Sequence, residues 1–593
     1  MNAVLEAREP SARYLAALEP PLLGQFNLIA QAPNGVARLR ELILTLALQG
    51  KLVPQDPNDE PASALLERIR AEKARLVKEG KIRKDKPLPE IAEEGKPFAL
   101  PDGWEWVNLG TVGEIGSSSR VHQRDWTSEG VPFYRAREIV QLSSFGSVPS
   151  DLFISEQLFS ELSAGGLIPE TNDLMITGVG TIGVPYVVRD IDRFYFKDAS
   201  VLILKNRYAL PPYFLFYFMK SPYWGNTIHA HSMGTTVHTL TIGRACEVPF
   251  PLPPLAEQSR IVARVEELMA LCDEMEVNGK LEAEQHARLV GSLFDSLASS
   301  ESAHALAENW QRIATHFDLL LDRHAAVDAL EQTILQLAVR GLLVPQDPSD
   351  EPASVLLQKI RAEKDRLIAA CKIKRDKPLP PIADEEMPFE LPVGWGWARF
   401  GDVILASDAG WSPSCESTPR DGDQWGVLKV SAVTWGEFKP EENKALPMHL
   451  QPRPEYEVQA GDFLLSRANT EELVARSVIA WQPPAKLMLS DKLIRLRLSS
   501  HLDKTLYCFI NNSASSRAHY IANASGTSSS MKNVSREVIL TLPVPVPPAA
   551  EQSRIVARVT ELRALCTKLR QSLSFAQQTQ SRLADALVAA VAA

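Results

Sequence analysis

Leu52-Val53-Pro54-Gln55-Asp56-Pro57 returns, residue for residue, as Leu343-Val344-Pro345-Gln346-Asp347-Pro348. The copy lies 291 positions downstream and belongs to a longer match: residues 50–106 align with 341–397 without a gap, and 38 of the 57 pairs are identical. A second duplication, Ala256-Glu257-Gln258-Ser259-Arg260-Ile261-Val262-Ala263-Arg264-Val265, recurs at 550–559. Between these markers, residues 107–248 and 398–542 share almost nothing in register. Two like frames each hold a different insert, the pattern of a device that performs one operation on two different targets.

The frames read as helix. Leu39, Leu42, Ile43, Leu46 and Leu48 lead to Gly50, and residues 330–339 lead to Gly341, glycine being a common helix stop. Glu60-Pro61-Ala62-Ser63 opens a second helix to about residue 79. A basic, proline-punctuated strap follows, residues 81–89 and 372–381. It leads to Gly103-Trp104-Glu105-Trp106 and Gly394-Trp395-Gly396-Trp397, whose tryptophans are expected to dock the strap on its insert. After Pro253-Pro254 and Pro547-Pro548 a long helix begins. Ile261, Val265, Leu268, Cys272 and Met275 alternate steps of four and three, as do Ile555, Val559, Leu562, Cys566, Leu569 and Leu573. The mean step is that of a left-handed coiled-coil seam, although ordinary bundle helices share the spacing. Asn278-Gly279 is expected to break or bend the first of these helices.

Short β-type runs mark the inserts: Tyr186-Val187-Val188, Val201-Leu202-Ile203-Leu204, Asp462-Phe463-Leu464-Leu465 and residues 493–498. Residues 211–219 and 505–511 read as short helices. The expected fold is α+β: two mixed α/β inserts separated by long helices that pair as an antiparallel coiled coil, with a pseudo-twofold internal repeat. The expected domains are a helical segment and strap (1–106), the first insert (107–250), a central helical region and strap (251–397), the second insert (398–544) and a C-terminal helical region (545–593).

At 593 residues the chain needs several cores. No apolar run reaches the roughly 18 residues of a spanning helix, and residues 1–19 lack the apolar centre of a signal peptide. Six cysteines without Cys-x-x-Cys argue against a disulfide framework or a zinc site, so a reducing cytoplasm is expected. Cys272 and Cys566 occupy equivalent seam positions and read as buried thiols. The net charge is −10, of which about −8 falls on the frames, since the inserts carry 11 Lys/Arg against 13 Asp/Glu and 16 against 16. Near-neutral inserts permit a basic reading face, whereas the acidic frames suit protein partners.

Gly178-Val179-Gly180-Thr181-Ile182-Gly183 has dinucleotide-binding form, but Val184-Pro185-Tyr186 follows where a helix must begin. It reads instead as a tight hairpin. Glu437-Phe438-Lys439 has the short Glu-x-Lys form of some nucleases, without a counterpart in the first insert. His229, His231 and His238 lack ligand-spaced carboxylates or cysteines. No P-loop occurs.

What remains is a set of donor-rich loops. Residues 234–241 and 526–535 each end eight residues before Pro249 or Pro543 and bring hydroxyls, a basic group and glycine. Such groups suit phosphates and base edges. The candidate contact residues are Arg120, His122, Arg124, Arg135, Arg137, Thr177, Gly180, Thr181, Thr235 and His238 in the first insert. In the second they are Arg420, Lys429, Arg467, Asn469, Thr470, Ser529, Lys532 and Asn533. Surface turns and salt bridges account for the same composition.

Pro251-Leu252-Pro253-Pro254-Leu255-Ala256-Glu257-Gln258 and Pro545-Val546-Pro547-Pro548-Ala549-Ala550-Glu551-Gln552 each close an insert and open a helix. Together with residues 173–183 and 461–470, they resemble the specificity (S) subunits of type I restriction–modification enzymes, over nearly the whole chain. The resemblance implies two target-recognition domains, each reading one half of a bipartite site in double-stranded DNA. It implies helices that fix the spacer and dock two modification (M) subunits, which bind S-adenosylmethionine and methylate adenine. Restriction (R) subunits would add ATP- and Mg-dependent translocation and cleavage. The chain itself would be non-catalytic, without a cofactor or metal of its own, and away from membranes. A frame segment stands before the first insert here, whereas some members start almost directly at it. A coiled-coil scaffold that does not bind DNA, or a nuclease using Glu437 and Lys439, are the alternatives.

Overall fold

The first frame helix, Gly35–Leu48, buries Leu39, Leu42, Ile43 and Leu46, and Gly50 ends it with φ +68°. A Cβ there would also press on Pro101 at 2.4 Å, so both backbone sign and space demand glycine. Gly341, φ +72°, stops the equivalent helix His324–Val339 against Pro392 in the same way. The computed structural model describes residues 26, 28–82, 87–230, 238–375, 377–434, 436–528 and 531–592. They divide into two units, residues 1–282 with 576–593, and residues 283–575.

In the first unit, Ala62–Lys78 is the second frame helix, with Pro61 just ahead of it. The insert is closed by an antiparallel ribbon of Glu105–Asn108 and Pro249–Leu252, in which Trp106 faces Pro251. Between these strands lies an antiparallel sheet in the order Glu114–Gly116, Val201–Lys205, Leu174–Thr177, Pro185–Val187. One core runs from the frame into the insert without a seam. Leu42 and Ile43 of the frame, Phe214 and Phe218 of the helix Pro212–Lys220, Phe250 and Leu252 of the ribbon, and Ile261 and Val265 are all buried in it.

The second unit repeats this plan although its insert is unrelated in sequence. The ribbon is Gly396–Arg399 with Pro543–Val546. The sheet order is Ile404–Ala409, Leu493–Leu498, Asp462–Ser466, Ser477–Ala480, again antiparallel throughout. Alternation in Leu493–Leu498 lets Leu496 and Leu498 face the core while Arg497 faces solvent. The expected short helices are Pro212–Lys220 and Lys504–Asn512.

The duplicated polar residues meet in space. Glu257 and Glu551, each 1% exposed, open the long helices. Glu257 accepts from Gln55 Nε2 at 2.7 Å and Trp104 Nε1 at 2.9 Å. Glu551 accepts from Gln346 Nε2 and Trp395 Nε1, both at 2.9 Å. Arg260 and Arg554 pair with Asp59 and Asp350, both at 2.5 Å. Burial pushes both glutamate carboxyls above the usual range, and an orphaned donor here would cost about 1–3 kcal/mol. Trp104 and Trp395 therefore fasten the strap to the frame helix, not to the insert as expected. Trp106 makes the insert contact, 6.2 Å from Tyr223.

The long helices are Leu255–Ala298 and Ala549–Ala592, each of 44 residues. The first runs through Asn278-Gly279 unbroken, against expectation. A glycine costs about 1 kcal/mol in a helix, and Gly279 has open space around it, so packing on either side outweighs the local preference. In the first unit, Leu268 and Cys272 share a core with Ala584, Leu587, Val588 and Val591. In the second, Val290, Phe294 and Leu297 share one with Ile555, Val559 and Cys566. Start meets end each time, an antiparallel pairing. Burial pushes the Cys272 thiol up to about 11, and Cys566 upward as well.

Arg399, 4% exposed, pins the second strap: Nε donates to Pro380 O at 3.0 Å, Nη2 to Pro381 O at 2.8 Å, and both Nη atoms to Glu386. These bonds hold the Glu386 carboxyl down to about 2. A depressed carboxyl contributes stability above its ordinary range and loses it as pH falls through the folded value. The stability gap between the protein and Glu386→Gln is therefore expected to be full at pH 6 and to close between about pH 4.5 and 2. Urea midpoints at several pH values measure it.

Candidate nucleic-acid interface

In each unit the central strand runs into an exposed loop locked at its stem. Leu174–Thr177 leads into residues 178–182, and Asp462–Ser466 into residues 467–474. The stem hydroxyls point inward: Thr177 Oγ1 donates to Thr181 O at 2.5 Å, Ser466 Oγ to Leu473 O at 2.9 Å. Gly183 and Ala475 close the loops with φ +78° and +60°, each donating its N–H back to Thr177 O or Ser466 O at 2.7 Å. Ala475 carries the strain that Gly183 avoids.

Each loop meets a second segment at an equivalent bridge. Val179 pairs antiparallel with Thr239, and Ala468 with Asn533. Leu240 N–H donates to Gly178 O at 2.8 Å, Val534 N–H to Arg467 O at 2.9 Å. Thr241 and Ser535 then cap the short helices Ile242–Glu247 and Arg536–Thr541. Two inserts without shared sequence thus bring the same two strands of chain together. Gly180, Thr181 and His238 gather there in the first unit, with the His238 ring 5.4 Å from that of His229. Arg467, Asn469, Thr470, Lys532 and Asn533 gather there in the second, Asn469 pairing with Lys532. Lys532 Nζ lies 3.8 Å from Glu471.

Other candidates sit elsewhere. Thr177 is fully buried with its hydroxyl used, so it supports the loop rather than facing a ligand. Arg135 and Arg137 both bond buried Glu138, and Arg137 also Asp151. Arg420 staples Gln424 O and Ala485 O, and Lys429 lies 3.6 Å from Glu442. Arg120, His122 and Arg124 are exposed, Arg124 lying 3.6 Å from Asp125. Thr235 and Ser529, with His231, lie outside the described residues.

Beneath the loops stand groups that sequence reasoning missed. Trp224, 2% exposed, donates Nε1–H to Gly183 O at 2.9 Å. Asn511 Nδ2 donates to Ala475 O at 2.8 Å. Arg517 donates to Val474 O, to Glu471 O at 3.0 Å and to Glu472 O at 3.1 Å. Burial lowers its guanidinium to about 10, still charged at neutral pH. Lys205 and Asp173 are buried together at 2.6 Å where the first loop's strand begins. Glu437 and Lys439 face each other at 3.9 Å. Among the described residues no group of three His, Cys, Asp or Glu is placed to hold a metal ion. No described helix is long and apolar enough to cross a membrane.

A family model described as the type I restriction modification DNA specificity domain matches residues 101–285. The chain is 40% identical over 573 residues to the specificity subunit of type I restriction enzyme EcoEI of Escherichia coli, covering 93% of each chain. To the EcoAI specificity subunit of the same species it is 37% identical over 587 residues, again covering 93% of each. The crystal structure of the HsdS subunit from Thermoanaerobacter tengcongensis is similar at 19% identity and a TM-score of 0.39, over 84% of this chain and 98% of that one.

Proposed function

The chain belongs to the specificity subunits of type I restriction enzymes, and from that premise we propose that its two inserts each read one half of an interrupted DNA target. One observation carries this reading: two inserts of unrelated sequence present differently furnished loops on the same locked stem. A common stem with unlike tips is what two different half-sites require. Arg467 and Asn469 have the hydrogen-bonding groups that match guanine and adenine edges in a major groove. Lys532 and His238 add charge or donors for phosphate.

The long helices set the spacer between halves, and the acidic frames dock two M subunits. S-adenosylmethionine and the methylating site belong to those subunits, ATP and Mg to R subunits, and none of them to this chain. The assembly works in the cytoplasm.

Expressed with its M subunits, the protein should methylate adenine in one bipartite, interrupted sequence, read by mapping modified bases on random DNA. Modification of a single uninterrupted sequence sinks the proposal. Within the complex, Arg467→Ala is expected to relax one base position at a cost of about 1–3 kcal/mol. Lys532→Ala should instead weaken all sequences alike and flatten the salt dependence. Binding titrations at two salt concentrations separate these outcomes.

A further inference from the structure

The two loops rest on chemically different supports at the same place in the fold. Under residues 467–474, the helix Ala514–Asn523 turns Arg517 inward, 8% exposed, and its guanidinium grips the carbonyls of Glu471, Glu472 and Val474. Asn511, 1% exposed, holds the next carbonyl, Ala475 O, and is itself fixed by Tyr520 Oη at 2.7 Å. In the first unit the helix Pro222–His229 supplies the indole N–H of Trp224 to Gly183 O, the position equivalent to Ala475. A planar fork on three carbonyls of one loop fixes both its height and its tilt.

We propose that Arg517 and Trp224 are positioning residues for base discrimination, each holding the recognition loop of its own insert in reading register. This rests on the functional reading above. Neither side chain reaches the loop surface. Arg517 acts through carbonyls of the loop that carries Arg467, Asn469 and Thr470, and Trp224 through the carbonyl that closes the loop carrying Gly180 and Thr181. Hydrogen bonds to base edges weaken steeply once donors move off line, so a released loop loses discrimination before it loses phosphate contacts. Eight residues separate Ser466 from Ala475, against five between Thr177 and Gly183. The longer loop has more backbone to restrain, which matches the larger set of donors beneath it.

The test uses the complex with M subunits on duplex pools randomised in one half-target at a time. Wild type first defines the two halves; if it selects no interrupted sequence, the functional reading fails before any variant is made. With that baseline, Arg517→Met should lower discrimination in one half by about ten-fold or more and leave the other half unchanged. Trp224→Phe should do the same in the opposite half. Arg517→Lys keeps the charge but cannot span three carbonyls, so an intermediate loss is expected. A purely stabilising role would lower the melting temperature while the folded fraction discriminated as before, which overturns the proposal. Equal loss in both halves also overturns it. Should Arg517→Met not fold, the Lys variant decides: wild-type discrimination in both halves overturns the proposal.

Discussion

Exchanging residues 107–250 for the insert of another specificity subunit is expected to replace one half of the methylated target and leave the other as it was. The insert's two ends meet in one ribbon, Glu105–Asn108 against Pro249–Leu252, so an exchange demands no new loop closure. A mismatched base pair costs about 1–3 kcal/mol, roughly additively, so a half-target of several pairs would weigh several times that. Preference for the old half over the new should therefore invert by orders of magnitude, on the order of 10³-fold or more. The ribbon is not the whole joint, however. Phe214, Phe218, Phe250 and Leu252 pack in one core with frame residues Leu42, Ile43 and Ile261. A donor insert lacking apolar bulk at these places should fold poorly however good its reading loop. Mapping modified adenines on random DNA reads the outcome, and a change in both halves together means the units do not read independently.

Repetition made the frame legible because the repeated polar residues are those that touch: Gln55, Trp104 and Glu257 meet, as do Gln346, Trp395 and Glu551. The partner of each tryptophan was misread, since an indole beside an insert says nothing of where its N–H points. The paired prolines placed the starts of the long helices, but the local preference of Asn278-Gly279 could not be weighed against packing further along the helix, at Leu268 and Cys272 on one side and Val290 and Phe294 on the other. Pro185 decided the hairpin reading of residues 178–183, because it starts a strand where a nucleotide fold needs a helix. Among the candidate contacts, composition could not separate exposed Arg467 from Arg135, spent on Glu138 three residues away, or from Arg420, which bonds a carbonyl 65 residues on. Thr177 matched its hydroxyl-rich neighbours in type and differs from them only in facing inward. Arg517 and Trp224 share neither residue type nor register, so the equivalence of their roles exists only in three dimensions.

Lys205→Met is expected to destabilise the first unit by about 3–5 kcal/mol, the cost of leaving a buried charge without its partner. Lys205 and Asp173 are each 3% exposed. Lys205 Nζ lies 2.6 Å from Asp173 Oδ2 and donates to Ile168 O at 3.0 Å. Asp173 also accepts from Glu170 N at 2.8 Å and Asn206 N at 3.0 Å, so a double replacement with apolar residues orphans two backbone donors and should not restore stability. Burial already raises the Asp173 carboxyl above its usual range despite the adjacent ammonium. Without Lys205 that rise should grow. A carboxyl raised in the folded state favours folding below its unfolded value and loses that advantage as pH rises through the folded one. The variant's deficit should therefore shrink from pH 8 to pH 5: it narrows on acidification as the Glu386 gap does, but in a higher pH window, because a raised carboxyl takes up its proton earlier than a depressed one. Because Asp173 precedes the strand Leu174–Thr177, local loosening reaches the first recognition loop directly. In the M-subunit complex, the half read by the first insert should fade while the half read by the second persists. Chemical unfolding at two pH values and half-target selection measure the two consequences separately; a deficit independent of pH would mean that the carboxylate finds water or another cation when Lys205 is removed.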